Sequence, residues 1–340
     1  MIHPFRSYIK RAIIFVPVFI LLYNNGSNFY GLSPVLYSNP FAEISGGEEW
    51  IKESPIQFFI GYFINIVVKD TSITHWIMIF IGFVYLYTSL FLFDKYCFNG
   101  KNISKILFFT PFFLILFTWI GKPDTITIGS LFYLIVFNGN IILGFIFTLI
   151  LIFSHPQVAF IYFVLIKYLN LYKFKIRHFM LVVAGYAIYL FYLSQQGDFQ
   201  GRYDVISNEL DRAFKTIFTN TLGGLISLFM WLWIIIFLSG IIKNKKFQLS
   251  FLLIFSVSFF TIDHTRIFTL LAVPLIIYMS KDQNFLKTFE DILDKKIMYF
   301  LGIFQIQKRA DGRIVDGINY YENQYLNELI NLFLRLVEKI

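Results

Sequence analysis

The sequence predicts an all-α polytopic integral membrane protein with about ten transmembrane helices. Three observations predict this fold class: of 340 residues, 57% are hydrophobic, 21% are aromatic and only 15% are charged. A soluble domain has about 25% charged residues, so the apolar excess is too large for one water-soluble core. The composition excludes an ordinary cytosolic enzyme and a disordered chain. A disulfide scaffold is excluded because Cys97 is the single cysteine.

Apolar runs that could cross a bilayer follow one another along the chain. The first, residues 12–23, comes after Arg6, Lys10 and Arg11 and lacks a small-residue cleavage site. We therefore expect an uncleaved helix with a cytoplasmic N-terminus. The further runs lie at residues 74–93, 104–120, 125–137, 139–154, 156–171, 178–195, 217–242, 248–262 and 267–280.

The net charge of +8 indicates which loops face the cytoplasm, because Lys and Arg concentrate in cytoplasmic loops. Three junctions are basic: residues 167–177, residues 243–246 and the segment after Lys281. One consistent alternation places all three inside, together with the loop at 94–105. The outer junctions are then residues 121–124, 154–157, 197–216 and 263–266.

The first extracytoplasmic loop is predicted over residues 24–73 and is acidic through Glu43, Glu48 and Glu49. Its apolar run at 55–68 has 14 residues, which is short for a crossing. We expect an extracytoplasmic interfacial helix here, lying along or dipping into the outer surface. The chain then divides into a transmembrane domain, residues 1–280, and a cytoplasmic amphipathic helical tail, residues 281–340.

Polar residues interrupt the apolar runs at the predicted outer ends of the helices. Lys122 and Asp124 put a cation beside a carboxylate, and Asp124 is also well placed to cap the helix that follows. His155 precedes Pro156 at a helix start, a pattern that taken alone is typical of a structural cap.

The sharpest polar cluster is Asp263-His264-Thr265-Arg266, which separates two strongly apolar runs. Ionisable groups at a membrane edge are costly unless they are paired or used. An Asp263–Arg266 ion pair closing a helical hairpin is the structural alternative. We favour a functional interpretation, in which the cluster supplies a base, a proton shuttle and a phosphate clamp. In the loop at 197–216, Arg202 beside Tyr203 suits recognition of a sugar phosphate.

Motifs that would assign another chemistry are absent from the sequence. It contains no Walker loop, GxGxxG, HExxH or CxxC pair. Lys and Arg are spread over loop ends and do not line one face, which argues against nucleic-acid binding. We therefore expect no cofactor, no metal and no nucleic-acid partner.

Four stretches, in order along residues 40–280, carry a resemblance to a known family. They are WIKESPIQFFIGYFINIVVKD, FSHPQVAFIYFVLIKYLNLYKFK, RYDVIS and DHTRIFTLLAVPLIIY. They resemble short motifs of Wzy-type O-antigen and capsular polysaccharide polymerases of the EpsG-like membrane family. The stretch GKPDTITIG departs from the Arg-rich helix start of many members.

The resemblance implies a GT-C-like architecture and a metal-independent glycosyltransferase in the bacterial inner membrane, with both termini cytoplasmic. Such enzymes join oligosaccharide repeat units, carried on undecaprenyl pyrophosphate, into O-antigen or capsular polysaccharide at the outer membrane face. A flippase and a chain-length regulator are the implied protein partners. The candidate catalytic residues are Asp263, Asp124, Glu53, His155 and His264. The candidate pyrophosphate and sugar ligands are Lys122, Arg202, Tyr203 and Arg266.

Three alternatives remain open. A membrane glycosyltransferase that uses a polyprenyl monophosphate sugar would depend on Glu48, Glu49 or Glu53 in the first outer loop. A flippase or other transporter for lipid-linked oligosaccharide would carry ionisable residues at mid-membrane, whereas the mid-helix positions here are nearly all apolar. A structural membrane subunit would leave the cluster at 263–266 unexplained.

Overall fold

The fold is helical throughout most of the part that the computed structural model describes. The described residues are 33–41, 52–97, 103–112, 115–116, 123–173, 175–196, 228–229, 231–259, 264–293, 308–310 and 313–315. The helices are α1 Ser33–Ser38, α2 Ile56–Val68, α3 Thr71–Cys97, α4 Ile103–Phe108, α5 Pro123–Val136, α6 Ile141–Ser154, α7 Pro156–Tyr168, α8 Ile176–Ser194, α9 Leu232–Leu238, α10 Lys245–Phe259, α11 His264–Met279 and α12 Gln283–Leu293. A 3₁₀ turn, Ile241–Lys243, precedes α10.

The predicted helical fold class is confirmed, with one exception in the tail. Two short strands, β1 Lys308–Ala310 and β2 Arg313–Val315, pair antiparallel with Lys308 opposite Val315. The tail helix α12 has an apolar face, because Phe285 and Phe289 are buried and stack one turn apart, while Lys287 and Glu290 are exposed. The predicted amphipathic stripe beyond residue 325 lies outside the described residues.

Within the described part of the chain, two helices are long and apolar enough to cross a membrane by length and composition, α3 with 27 residues and α8 with 19. Five shorter apolar helices accompany them: Ile56–Val68, Pro123–Val136, Ile141–Ser154, Pro156–Tyr168 and Arg266–Met279. The number of ten crossings therefore stays a prediction, as do the inner-membrane location and the cytoplasmic termini.

The chain forms two compact units. The first comprises Met1–Ser104 and Phe112–Val205, and the second comprises Lys105–Pro111 and Ile206–Ile340. The predicted boundary at residue 280, between a transmembrane domain and a cytoplasmic tail, is a different division of the chain and stays a prediction.

Helix starts follow local sequence signals. Asp70, Asn140, Asn244 and Asp282 each accept backbone N–H groups from the helix that follows, at α3, α6, α10 and α12 respectively. These short polar side chains satisfy donors that have no partner within the first helical turn. Three of these helices, α3, α6 and α10, overlap the predicted runs at 74–93, 139–154 and 248–262.

The predicted run at 104–120 is wrong as a single helix. Helix α4 ends at Phe108, and residues 109–111 form a turn in which the Thr110 N–H donates to the Leu107 carbonyl at 3.1 Å. Pro111 has no N–H to continue a helix and disfavours helical geometry at the residue before it. A hydrophobic run alone could not reveal this break.

Within the first unit, α3 and α5 run parallel. Gly82 of α3 faces Thr125 near the start of α5, and the Tyr85 hydroxyl lies 3.0 Å from the Ser130 hydroxyl further along both helices. Helices α6 and α8 are parallel too, because Gly144 faces Leu181 and the ring of Phe153 contacts that of Tyr189. These contacts fix how far each helix of a pair is shifted along its axis relative to its partner.

The second unit has an apolar interior built on aromatic rings. The ring of Phe229 packs edge-on against Trp233 and Phe268, with centroids 5.1 and 5.2 Å apart. Helix α11 is almost wholly buried from Phe268 onward, and it contains Pro274.

We predict that Gly129→Ala destabilises the contact between α3 and α5. A Cβ atom at residue 129 would lie 2.6 Å from Cδ1 of Tyr85, closer than side chains approach in proteins. Tyr85 cannot move aside easily, because it bonds Ser130 and packs against the Tyr133 ring. We expect a loss of about 1–3 kcal/mol in the free energy of unfolding, measured by thermal unfolding in detergent.

Gly144→Ala is the matched control, since the nearest side-chain atom, Cδ1 of Leu181, would be 3.9 Å from the added Cβ. Alanine has a better helix propensity than glycine, so this variant should unfold at the same temperature or higher. Equal unfolding temperatures for the two variants would contradict the register assigned to α3 and α5.

Candidate functional site

Polar side chains from three separate parts of the sequence meet at one end of the first unit. We call Lys52, Glu53, Asp124, His155 and Gln157 the polar cluster. Lys52 and His155 are 9% and 6% exposed, and Asp124 is fully buried. Buried ionisable groups surrounded by apolar helices are expensive, which makes them candidates for function.

The contact that joins distant parts of the chain is a hydrogen bond between two side chains. Gln157 Nε2 donates to Glu53 Oε2 at 2.8 Å, across 104 residues of sequence. Gln157 is exposed and Glu53 is half-buried, so the pair is accessible from outside the protein. His155 is two residues away from Gln157. The predicted candidates Glu53 and His155 therefore lie at the same place.

Asp124 occupies a different position from the one predicted. Helix α5 begins at Pro123, so Asp124 lies within its first turn and is not the residue that caps it. A carboxylate in the first turn is stabilised by the positive end of the helix dipole. Asp124 also lies within electrostatic range of the buried Tyr162 of α7.

A pair of hydroxyl groups links the start of α5 to the junction that contains His155. The Thr127 hydroxyl is 3.0 Å from the Ser154 hydroxyl, and both residues are fully buried. Asp124 is one turn before Thr127, and His155 directly follows Ser154. His155 occupies the position before α7, as predicted, and Pro156 begins that helix, but the His155 side chain makes no capping hydrogen bond to its first turn.

Three tyrosines on one face of α8 hold the non-helical backbone of the site. The hydroxyl of Tyr186 donates to the Pro156 carbonyl at 2.7 Å, and that of Tyr189 donates to the Glu53 carbonyl at 3.0 Å. Tyr192 donates to the carbonyl of the residue before Glu53 at 3.3 Å. Residues three apart share a helix face, so one helix positions both segments of the cluster.

Two buried polar atoms beside the cluster have no hydrogen-bond partner among the described residues. They are Oε1 of Gln57, in the first turn of α2, and Oγ1 of Thr125, which follows Asp124. An unmet buried polar atom costs about 1–3 kcal/mol. Polar ligand groups or water at the cluster would remove this cost.

Two of the other predicted site residues belong to the second unit. His264 begins α11, and Arg266 lies half-buried in the first turn of that helix, in the second unit. The remaining candidates lie outside the described residues: Lys122, Arg202, Tyr203, Asp263, Glu48 and Glu49.

Sequence reasoning missed Lys52, Gln157 and the tyrosines of α8. A signal for the tyrosines was present, since Tyr186, Tyr189 and Tyr192 recur every three residues in an apolar helix. The partners of these tyrosines are backbone carbonyls of residues 52, 53 and 156, which a sequence does not single out. Gln157 carries no signal of its own, because an exposed glutamine near a helix start is common.

At the opposite end of the first unit, His178 has a structural role. The Lys175 backbone N–H donates to its Nδ1 at 2.9 Å, so Nε2 carries the proton and donates to the Asn138 carbonyl at 3.0 Å. Arg177 Nη2 donates to the same carbonyl. The Tyr172 ring packs edge-on against His178, and burial raises the pKa of the Tyr172 phenol above its ordinary value.

The described residues were compared with the ligand sets that metal ions need. Among the described residues, no group of three His, Cys, Asp or Glu side chains could hold a metal ion. Metal independence itself stays a prediction.

We predict that Tyr189→Phe destabilises the first unit, because it leaves the buried Glu53 carbonyl without the hydroxyl that now donates to it. The expected cost is about 1–3 kcal/mol, measured as a lower unfolding temperature in detergent. Tyr168→Phe is the control, since the Tyr168 side chain is 38% exposed at the other end of the unit. If both variants unfold together with the unsubstituted protein, the hydroxyl of Tyr189 does not support the site.

Known proteins give no further assignment. No protein-family description, curated protein or solved structure matches the chain. The resemblance to polysaccharide polymerases therefore stays a prediction, and the function has to follow from the chemistry of the polar cluster.

Proposed function

We propose that the polar cluster joins oligosaccharide repeat units, carried on undecaprenyl pyrophosphate, into O-antigen or capsular polysaccharide at the outer face of the bacterial inner membrane. The observation that carries this proposal is the Glu53–Gln157 hydrogen bond, which brings a first-loop carboxylate beside His155 in an apolar bundle. The chain would act there as a glycosyltransferase, with lipid-linked glycan as both donor and acceptor.

The side chains of the cluster suit a sugar ligand. Carboxylate and amide groups accept and donate the hydrogen bonds that sugar hydroxyls need. Gln57 Oε1 and Thr125 Oγ1, which have no hydrogen-bond partner among the described residues, add two more polar positions beside the cluster. The rings of Tyr189 and Tyr192 lie beside the Glu53 segment and combine an apolar face with a polar tip.

The reaction requires a base and a cation. The acceptor hydroxyl attacks the anomeric carbon of the donor, the bond from that carbon to the pyrophosphate oxygen breaks, and undecaprenyl pyrophosphate leaves. Glu53 takes the hydroxyl proton in this proposal, and Gln157 holds the carboxylate in position. Asp124 and His155 are the second choices for the proton. Lys52 offers a positive charge for the leaving group.

The roles of the other candidate residues remain proposals. They are pyrophosphate binding by Lys122, Arg202 and Arg266, sugar binding by Tyr203, and catalysis by Asp263 and His264.

A second function uses the same residues. Glu53 belongs to the first outer loop, where transferases that use polyprenyl monophosphate sugars would place their catalytic carboxylate. In that case the chain would decorate a lipid-linked glycan and would not lengthen it. Product length separates the two functions.

We predict that Glu53→Gln abolishes polymer formation while the protein still accumulates in the membrane. The substitution keeps the shape and the hydrogen bond to Gln157 but removes the charge that accepts a proton. Loss of a general base costs about 10²–10⁴ in rate. The measurement is the ladder of surface glycan chains in a deletion strain that expresses each variant.

A ladder reduced to one repeat per lipid supports the polymerase. Glu290→Gln, at an exposed position of α12 in the second unit, should leave the ladder unchanged. A full ladder with Glu53→Gln would overturn the role of Glu53. An altered repeat of normal chain length in the deletion strain would support the decorating transferase, and the absence of surface glycan would support a flippase.

A further inference from the structure

The helices of the first unit differ in length in a way that bears on depth in a membrane. Helices α5, α6 and α7 have 14, 14 and 13 residues, which makes each about 20 Å long. The hydrocarbon core of a bilayer is about 30 Å thick. Helix α3, with 27 residues, is about 40 Å long and exceeds this thickness.

Basic residues collect at one end of the first unit, where Arg177 also donates to the Asn138 carbonyl between α5 and α6. Lys95 lies at the end of α3 and Lys167 at the end of α7, while Lys175 and Arg177 lie at the start of α8. Basic residues mark the cytoplasmic side. The polar cluster lies at the other end of α5, α6 and α7. With their basic ends at the inner boundary, the cluster would be about 10 Å below the outer boundary of the hydrocarbon core.

Two neighbouring helices extend past the polar cluster on the outer side. Gly82, which faces Thr125, is 11 residues after the start of α3, a rise of about 16 Å. Tyr189, which bonds the Glu53 carbonyl, is five residues before the end of α8, a rise of about 8 Å. The cluster thus lies below the outer ends of both long helices.

Helix α2 climbs from the cluster to the tip of α3. Phe58 in its first turn packs with Met78, and Asn65 near its end accepts a hydrogen bond from Thr74 at 3.2 Å. The two helices are therefore antiparallel, and they are joined by Lys69 and Asp70. Lys69 has a φ of 56°, the left-handed conformation that ends α2.

The outer face of this hairpin is apolar, and its tip is polar. The exposed large hydrophobic side chains along it are Phe63, Ile66, Val67, Ile73, Trp76 and Phe80. The charges of Lys69 and Asp70 are confined to the turn. An apolar face below a charged tip is the pattern of a segment that contacts acyl chains and ends at the membrane surface.

From this geometry we propose that residues 52–68 form a re-entrant segment. Glu53 and the rest of the polar cluster lie inside the apolar layer, and α2 rises from that depth to the outer boundary; it does not lie along the surface. Tyr189 and Tyr192 of α8 satisfy two backbone carbonyls of this segment at membrane depth. The cluster then receives a polar head group that is carried on a hydrocarbon chain within the bilayer.

Depth measurements with spin labels test this arrangement without any substrate. The single native cysteine is exposed at the basic end of α3, so Cys97→Ser gives a cysteine-free background. Single cysteines at positions 63, 67 and 69 are labelled, and the protein is reconstituted in vesicles of phosphatidylethanolamine and phosphatidylglycerol. Collision with oxygen and with a nickel chelate reports the depth of each label.

We expect depth to increase steadily from position 69 to position 63, with a difference of about 9 Å over six helical residues. The unsubstituted protein, labelled at its native Cys97, is the aqueous reference at the opposite boundary. Equal depths at 63 and 67, or free access of the nickel chelate to both, would overturn the proposal. Both positions are exposed on α2, so labels there should leave the fold intact. The spin-label result tests only the depth of α2. The proposed glycan chemistry is tested separately by the ladder of surface glycan chains.

Discussion

Backbone carbonyl groups outside helices must find hydrogen-bond donors when apolar side chains surround them, and this constraint organises the first unit. The chain is outside an α-helix at residues 52–55, where Tyr192 and Tyr189 of α8 donate to the carbonyls of residues 52 and 53. Tyr186 of the same helix donates to the carbonyl of Pro156, the first residue of α7. Because all three tyrosines lie on one helix face, residues 52–53 and the start of α7 must lie side by side. The position of Glu53 relative to Gln157 follows from this arrangement.

In the proposed re-entrant arrangement, the short helices would make the polar cluster accessible to an amphiphilic ligand. A helix of 14 residues that begins at one boundary of a bilayer ends inside it. When several such helices end at the same level, their polar ends can share one depth, provided that each group is paired. The longer α3 and α8 continue past this level and form walls around it. Under the proposed function, these walls would let the hydrocarbon anchor of a glycan remain in the bilayer while its sugar reaches Glu53.

The polar residues at the two ends of the first unit have different roles. At the basic end, each nitrogen of His178 has a fixed backbone partner, so the side chain closes the turn between α5 and α6 onto the start of α8. At the other end, Glu53 and Gln157 bond each other near the protein surface, and Gln57 and Thr125 carry buried polar atoms with no partner among the described residues. Nε of Arg177 at the basic end also lacks a partner among the described residues, so what distinguishes the other end is the accessible Glu53–Gln157 pair.

The sequence by itself determined the helical class, because the apolar composition and its periodicity are local properties, and it made Glu53, Asp124 and His155 candidates. It failed at Pro111, where an apolar run hides a turn, and at Asp124, which lies inside α5 because Pro123 begins the helix. Only the tertiary structure decided that Glu53 meets Gln157 across 104 residues, and that α2 folds back along α3. Such contacts depend on helix lengths and on distant hydrogen-bond partners, which no local pattern encodes.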